Sequence, residues 1–281
     1  MKIKYLLVVI AAAVFSAGCA STLSHYEMGM DYYAAGKLDD AIEEFQISLS
    51  ANPSDPVVHK ALGDAFADRG LLLEAIAQWE TALSLKPNYP EVKGKLEASY
   101  VTLGKEEYDK GRVQDALELW RKAIDINKEN IEAHKRLGLA YMSQKDASSA
   151  IPELEFVVER NPKDELVLRR LGIAYHMKGR VDEAIKTFEN LIRKNPTDHM
   201  AYNNLGSMYI QQKKYADAIH VLKQAVRLAP DQAQILNNLG SAYFYSEDYS
   251  NARKTWGKVM EIDPVNRTAR QNLKVLEDMG E

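Results

Sequence analysis

Residues 203–209 read NNLGSMY and residues 237–243 read NNLGSAY, nearly the same phrase at an offset of 34. A fixed internal period constrains a fold more than any other feature of a sequence, because each unit must meet its neighbours in the same way. The period runs through the chain. Glycines fall at Gly29, Gly63, Gly104, Gly138, Gly172, Gly206 and Gly240. Twelve residues after each comes an alanine, from Ala41 to Ala252, and four residues further a bulky apolar group: Phe45, Trp79, Trp120, Leu154, Phe188, Leu222 or Trp256. Prolines at Pro53, Pro87, Pro162, Pro196, Pro230 and Pro264 keep the same step, apart from one gap of two periods plus seven residues.

Within a unit the apolar spacings are three and four, which is helical. Leu205 and Tyr209 share one face of a first helix, and Ala218, Ile219, Leu222, Ala225 and Val226 share a face of a second. A polar turn separates them, and in four repeats it contains a glycine: Gly36, Gly70, Gly111 and Gly179. Each unit is therefore predicted to be two antiparallel helices joined tightly. The glycine and alanine are small where the two helices approach. The proline ends the second helix, since it lacks an amide hydrogen and restricts the residue before it.

The pattern of Leu-Gly, Tyr, Ala, a bulky residue, Ala and Pro in 34 residues resembles the tetratricopeptide repeat. Seven repeats follow on this reading: 22–55, 56–89, 97–130, 131–164, 165–198, 199–232 and 233–266, with residues 267–281 as a capping helix apolar at Leu273 and Leu276. The resemblance implies an all-α, right-handed superhelical solenoid. Two departures carry local expectations. The insert 90–96 adds nearly two helical turns, so the first helix of the third repeat can lengthen without changing its buried face. Pro152 falls inside the second helix of repeat four, which is expected either to start late, near Ser149, or to kink.

The resemblance also implies that first helices line a concave groove that holds a peptide or protein segment. Carried over repeat by repeat, the fifth and sixth positions are Lys135 and Arg136, Arg169 and Arg170, Asn203 and Asn204, then Asn237 and Asn238. His176 faces the groove in the same register. The amides suit hydrogen bonding to the backbone of an extended ligand, as in the asparagine ladder of some tetratricopeptide superhelices. The basic quartet suits carboxylates. The equally open reading is that one asparagine of each pair satisfies local backbone and that the basic residues form a solvated face. The chaperone-tail carboxylate clamp is not matched, because Leu139 and Ile173 stand where it needs asparagine. In the first repeats the lining changes to Tyr26, Met30, Tyr33, Lys60 and Asp64.

The first twenty residues carry a different message. A basic start, MKIK, precedes eleven apolar residues and the small-residue run SAGCA. That is the layout of a secretory signal. As a helix the apolar run would span roughly 16 Å, too short for a permanent membrane span. SAGC resembles a bacterial lipobox, with Ser16 in place of its leucine, which implies cleavage after residue 18 and acylation of Cys19. An ordinary signal peptide followed by a free cysteine is the other reading. Ala20, rather than Asp, implies the outer membrane of a Gram-negative envelope. Cys19 is the sole cysteine of 281 residues, so the chain can form neither an internal disulfide nor a cysteine-rich zinc site.

Net charge is −4, and removing residues 1–18 takes away Lys2 and Lys4 and no acid, leaving −6. That balance argues against a general nucleic-acid binder. The histidines, His25, His59, His134, His176, His199 and His220, show no zinc-ligand spacing. His25, His59 and His134 occupy a position where an aromatic normally packs. With no phosphate-binding glycine loop and no nucleophile elbow, no cofactor and no catalytic residue are expected. The expectation is a lipid-anchored periplasmic scaffold that binds a protein or extended peptide to assemble or recruit an envelope complex, similar to pilotin or export-associated adaptors. An adaptor delivering substrates to a periplasmic protease or peptidoglycan enzyme is the alternative.

Overall fold

The computed structural model describes residues 23–280. The expected leader, residues 1–18, and Cys19 lie outside the described residues. Contacts divide the chain into two compact units, Met1–Leu96 and Glu97–Glu281. Among the described residues every regular element is a helix. The first unit holds α1 (His25–Ala34), α2 (Leu38–Ala51), α3 (Pro56–Asp68) and α4 (Leu72–Leu85), and α5 (Pro90–Asp109) contains residues of both units. The second continues with α6 (Val113–Ile126), α7 (Ile131–Ser143), α8 (Ala147–Arg160), α9 (Glu165–Met177) and α10 (Val181–Lys194). It ends with α11 (His199–Gln211), α12 (Tyr215–Leu228), α13 (Ala233–Tyr245), α14 (Tyr249–Ile262) and α15 (Arg267–Met279).

The periodic glycines explain the helix pairing. A Cβ placed on Gly206 would lie 2.4 Å from Leu222 Cγ, and one on Gly240 would lie 2.4 Å from Trp256 Nε1. The same clash recurs from Gly29 against Phe45 to Gly172 against Phe188. In every unit the bulky residue of the second helix therefore rests on the bare backbone of the first. Phe45, Trp79, Trp120, Leu154, Phe188, Leu222 and Trp256 are all buried. Each such burial contributes about 1.5–3 kcal/mol. The alanines at 41, 75, 116, 150, 184, 218 and 252 are fully buried, where a larger side chain would push the pair apart.

Packing then propagates from neighbour to neighbour. In the second unit each helix from α6 to α15 packs on the next, and the first helices α7, α9, α11 and α13 also touch one another in turn. Those first helices form one continuous face. In the first unit α1 to α4 pack in the same serial way, and α1 touches α3. Each unit is thus a stretch of helix-turn-helix solenoid, the architecture that the repeat pattern predicts. The terminal helix α15 buries Ala269 and Leu276 against its neighbours. At the position that is glycine in every repeat it carries the exposed Lys274.

Three local findings refine the expectations. The turn position that is glycine in four repeats, such as Gly179 with φ 73°, is left-handed in the other three as well, where it is Lys145 (φ 61°), Lys213 (φ 60°) and Glu247 (φ 63°). The turn geometry is common to all repeats, and three of them adopt it at a steric cost. Helix α8 begins at Ala147, capped by Asp146, so Pro152 does not delay its start. Pro152 is exposed, and the carbonyl it leaves unbonded can turn to water. Helix α5 has 20 residues against 13 in α3 and α7, and residues 90–96 form its first turns.

Candidate functional site

The first-helix face of the second unit carries the residues expected to line a groove. Their fifth and sixth positions differ sharply in what they touch. Asp164 and Asp198 cap α9 and α11 with one carboxylate oxygen, accepting from the amides of Val167 at 3.1 Å and Ala201 at 3.0 Å. Their second oxygens accept from the preceding first helix, within the same repeat. Lys135 Nζ donates to Asp164 at 2.6 Å, and Arg169 Nη2 donates to Asp198 at 2.5 Å. At α15 the cap is Asn266, and the fifth-position partner is an amide too: Asn237 Nδ2 donates to Asn266 Oδ1 at 3.2 Å. The cap of α13 is Gln232, which makes no side-chain cap bond. There Asn203 turns elsewhere and accepts from Asn238 Nδ2 at 2.9 Å.

At three of the four places the fifth-position residue therefore matches the cap of the next first helix: Lys135 with Asp164, Arg169 with Asp198 and Asn237 with Asn266. Lys135 and Arg169 are neutralised by carboxylates within the chain, the half-buried Asp164 and the buried Asp198. Asn203 is 1% exposed and holds two first helices together; it does not face solvent. The pairing joins position five to the last residue of the same repeat, so likeness between equal positions of different repeats does not contain it. The matching of cation with Asp and amide with Asn along one chain is the signal that would have revealed it.

The sixth position is the outward one. Arg170 is exposed and has no ion pair or hydrogen bond among the described residues. Arg136 pairs through Nη2 with Glu132 at 2.6 Å, and its Nε is buried without an acceptor. Asn204 is half-buried and makes no side-chain hydrogen bond among the described residues. Asn238 spends one amide hydrogen on Asn203 and keeps its carbonyl oxygen unbonded. Arg136 and Arg170 rim a cavity of about 320 Å³ whose walls include Trp120, Leu139, Met142 and Leu166. Further along the same face a cavity of about 220 Å³ lies between α13 and α15, walled by Phe244, Tyr245, Trp256 and Val275 with Ser241 and Asn272.

Position twelve supplies a third set of ties between first helices. Tyr108 donates to Ser143 Oγ at 3.1 Å, and His176 Nε2 lies 3.1 Å from Gln211 Oε1. In the first unit Tyr33 donates to Asp68 at 2.5 Å, and that bond raises its phenol pKa to about 12. His176 thus bridges two first helices beside the groove. On the far side, Tyr209 donates to Glu189 at 3.0 Å, and burial followed by that bond raises its pKa to about 12.

Of the three histidines expected to pack, His59 and His134 do so and His25 does not. His134 stacks on Phe156 with ring centroids 3.7 Å apart, and its two nitrogens lie 2.5 Å from Glu153 Oε2 and 3.1 Å from the Lys128 carbonyl. His59 is similarly held between Gln78 and the Pro53 carbonyl. His25 contacts Glu44 at 2.6 Å and stays exposed. Among the described residues no group of three or more His, Cys, Asp or Glu could hold a metal ion. In the first unit the groove-side Asp64 is spoken for. It accepts from Trp79 Nε1 at 2.9 Å and pairs with Lys60 at 3.1 Å and Lys95 at 3.0 Å.

A family model described as tetratricopeptide repeat matches residues 26–90, 137–199, 178–232 and 203–267, and one described as TPR repeat matches 104–145. Among solved structures the chain is similar to MamA, with 23% identity and a TM-score of 0.59 over 61% of this chain and 93% of that one. It is similar to YrrB, described as a TPR protein with an unusual peptide-binding site, with 22% identity and a TM-score of 0.50 over 68% of this chain and 95% of that one. It is also similar to the C-terminal part of a TPR repeat-containing protein from Cytophaga hutchinsonii, with 19% identity and a TM-score of 0.53 over 88% and 99% of the two chains. At these identities the likeness is one of fold. No curated protein matches the chain at a significant level.

Proposed function

We propose that this chain, which belongs to the tetratricopeptide-repeat family, is a non-catalytic scaffold that binds an extended segment of another protein along the first helices of its second unit. The observation that carries the reading is the split between fifth and sixth positions. Each fifth-position side chain makes a hydrogen bond within the chain, although Arg169 Nε and Asn237 Oδ1 are buried without a partner. Arg170, Asn204 and the carbonyl of Asn238 keep hydrogen-bonding capacity that nothing in the chain uses. Burying such groups against a ligand is favourable only if the ligand bonds them. An extended backbone offers a donor and an acceptor at every residue, so amides at successive first helices can engage it with little regard to sequence.

The same proposal gives the scaffold an anchor. Cys19 follows a basic and apolar leader, and acylation there would tie the chain to an envelope membrane through more than one acyl chain, as stable anchoring requires. Among the described residues no helix is long and apolar enough to cross a membrane. An anchored repeat domain on the periplasmic side of the outer membrane suits recruitment or assembly of an envelope complex. Delivery of substrates to a periplasmic protease or cell-wall enzyme is the second reading, and the identity of the captured partner separates the two.

The test places a photocrosslinking residue at position 204 and, as control, at Lys186 on the second helix α10. One dominant adduct from position 204, absent from position 186 and reduced by Arg170→Glu, is the expected result. Equal adducts from both positions would overturn the groove reading. Acyl labelling tests the anchor separately: it should vanish in Cys19→Ala, and label persisting in that variant would remove the anchor from the proposal.

A further inference from the structure

The two cavities on the first-helix face differ in chemistry. The cavity between α7 and α9 is rimmed by two guanidinium groups over an apolar floor. Among the described residues only Glu132 pairs with them, through Arg136, so Arg170 is uncompensated there. The neighbouring Lys135–Asp164 and Arg169–Asp198 pairs add no net charge. The cavity between α13 and α15 has no charged wall; Tyr245 and Val275 stand at its mouth, 53% and 42% exposed, and Phe244 packs edge-on to Tyr245. Between the two cavities lie the uncharged groups of α11 and α13: Asn204, Ser207, Gln211 and Asn238.

The separation follows from the stacking of first helices. Helices in contact lie about 8–10 Å apart. From the α7–α9 cavity to the α13–α15 cavity is three such steps, or roughly 24–30 Å. An extended chain advances about 3.3 Å per residue, so roughly eight residues bridge them.

Resting on the groove reading above, we propose that the second unit recognises a bipartite extended peptide: a carboxylate beside an apolar side chain at one end, and an aromatic or large apolar side chain about eight residues away at the other. The guanidinium of Arg170 takes the carboxylate, with Trp120, Leu139, Met142 and Leu166 receiving the adjacent apolar group. Phe244, Tyr245 and Val275 receive the distant anchor. The amides between them bond the intervening backbone and impose no side-chain demand.

The test uses fluorescein-labelled synthetic peptides in which an Asp-Leu pair and a Trp are separated by two, six or ten serines, made in both chain directions. Their affinity for the protein is measured by anisotropy. Tightest binding at the middle spacing, in one direction, by about tenfold over the short peptide is the expected result. Replacing Asp by Asn in that peptide should weaken binding about tenfold in the parent protein and leave it unchanged in Arg170→Gln. Tyr245→Ala should remove the benefit of the Trp while sparing that of the Asp. Both altered side chains are exposed, so neither variant is expected to unfold. Affinity indifferent to spacing, or an Asp-to-Asn effect that survives in Arg170→Gln, overturns the bipartite reading. A retained crosslink at position 204 together with no binding of any spacing overturns the bipartite reading alone. Loss of both overturns the groove as well.

Discussion

Gly206 and Gly257 are both interior helical glycines, and the structure predicts opposite consequences for the same substitution. A Cβ at Gly206 would lie 2.4, 2.8 and 3.0 Å from the Cγ, Cδ2 and Cδ1 atoms of Leu222. Leu222 is fully buried, so its branch carbon cannot retreat without moving α12 off α11. Overpacking of this kind costs about 1–3 kcal/mol, and a contact at a branch point inside a closed interface belongs at the upper end. The gain of replacing glycine by alanine inside a helix is about 1 kcal/mol in the other direction. Gly206→Ala should therefore destabilise by about 2 kcal/mol. A Cβ at Gly257 meets nothing within 4 Å. Gly257→Ala should stabilise by about 1 kcal/mol through the propensity term alone. In a solenoid such effects are felt mainly by the unit and its neighbours, so the assay is hydrogen exchange resolved by helix. Protection should fall in α11 and α12 for Gly206→Ala and rise in α14 for Gly257→Ala. Equal shifts of the same sign in both variants would refute the argument that the periodic glycines exist for helix approach.

Lys213 holds a left-handed turn that four sibling repeats give to glycine, so Lys213→Gly should raise stability by about 1 kcal/mol in denaturant unfolding, less what the freer unfolded chain takes back. Arg169→Met removes the cation from Asp198, whose side chain is 4% exposed, and should cost about 1–3 kcal/mol, with exchange rising first at the start of α11. Tyr33 and Tyr209 favour the neutral phenol in the folded state, with pKa raised from 10.0 to about 12. Their contribution is complete below pH 10 and is lost as pH rises toward 12. Denaturation midpoints followed from pH 9 to 12 should fall in that window, less steeply in Tyr209→Phe, and a phenolate absorbance titration should show the delayed ionisation.

The expected repeats contain what short-range geometry can dictate. Leu205 and Tyr209 share a face because the helix turns every 3.6 residues, and Gly206 must be bare because Leu222 meets it in the same repeat. The paired asparagines show where that reasoning stops. Asn203 and Asn204 are adjacent and chemically identical, yet one is buried at 1% exposure and the other is half-buried with its hydrogen bonds unspent. His134 behaves likewise: its position names it a packing residue, but its stacking on Phe156 and its contact with Glu153 belong to the pairing of α7 with α8.

The 34-residue period by itself determined the helices, their pairing and the place of the glycine and alanine where they approach, because those depend on contacts within one unit of known pitch. Which polar side chains remain for a ligand was decided only by the tertiary structure. Asn203 and Asn238 meet across 35 residues, and Lys135 and Asp164 across 29. Contacts at that range depend on how one repeat is turned against the next, and that angle comes from packing among all the side chains at the interface, which no single position in the repeat records.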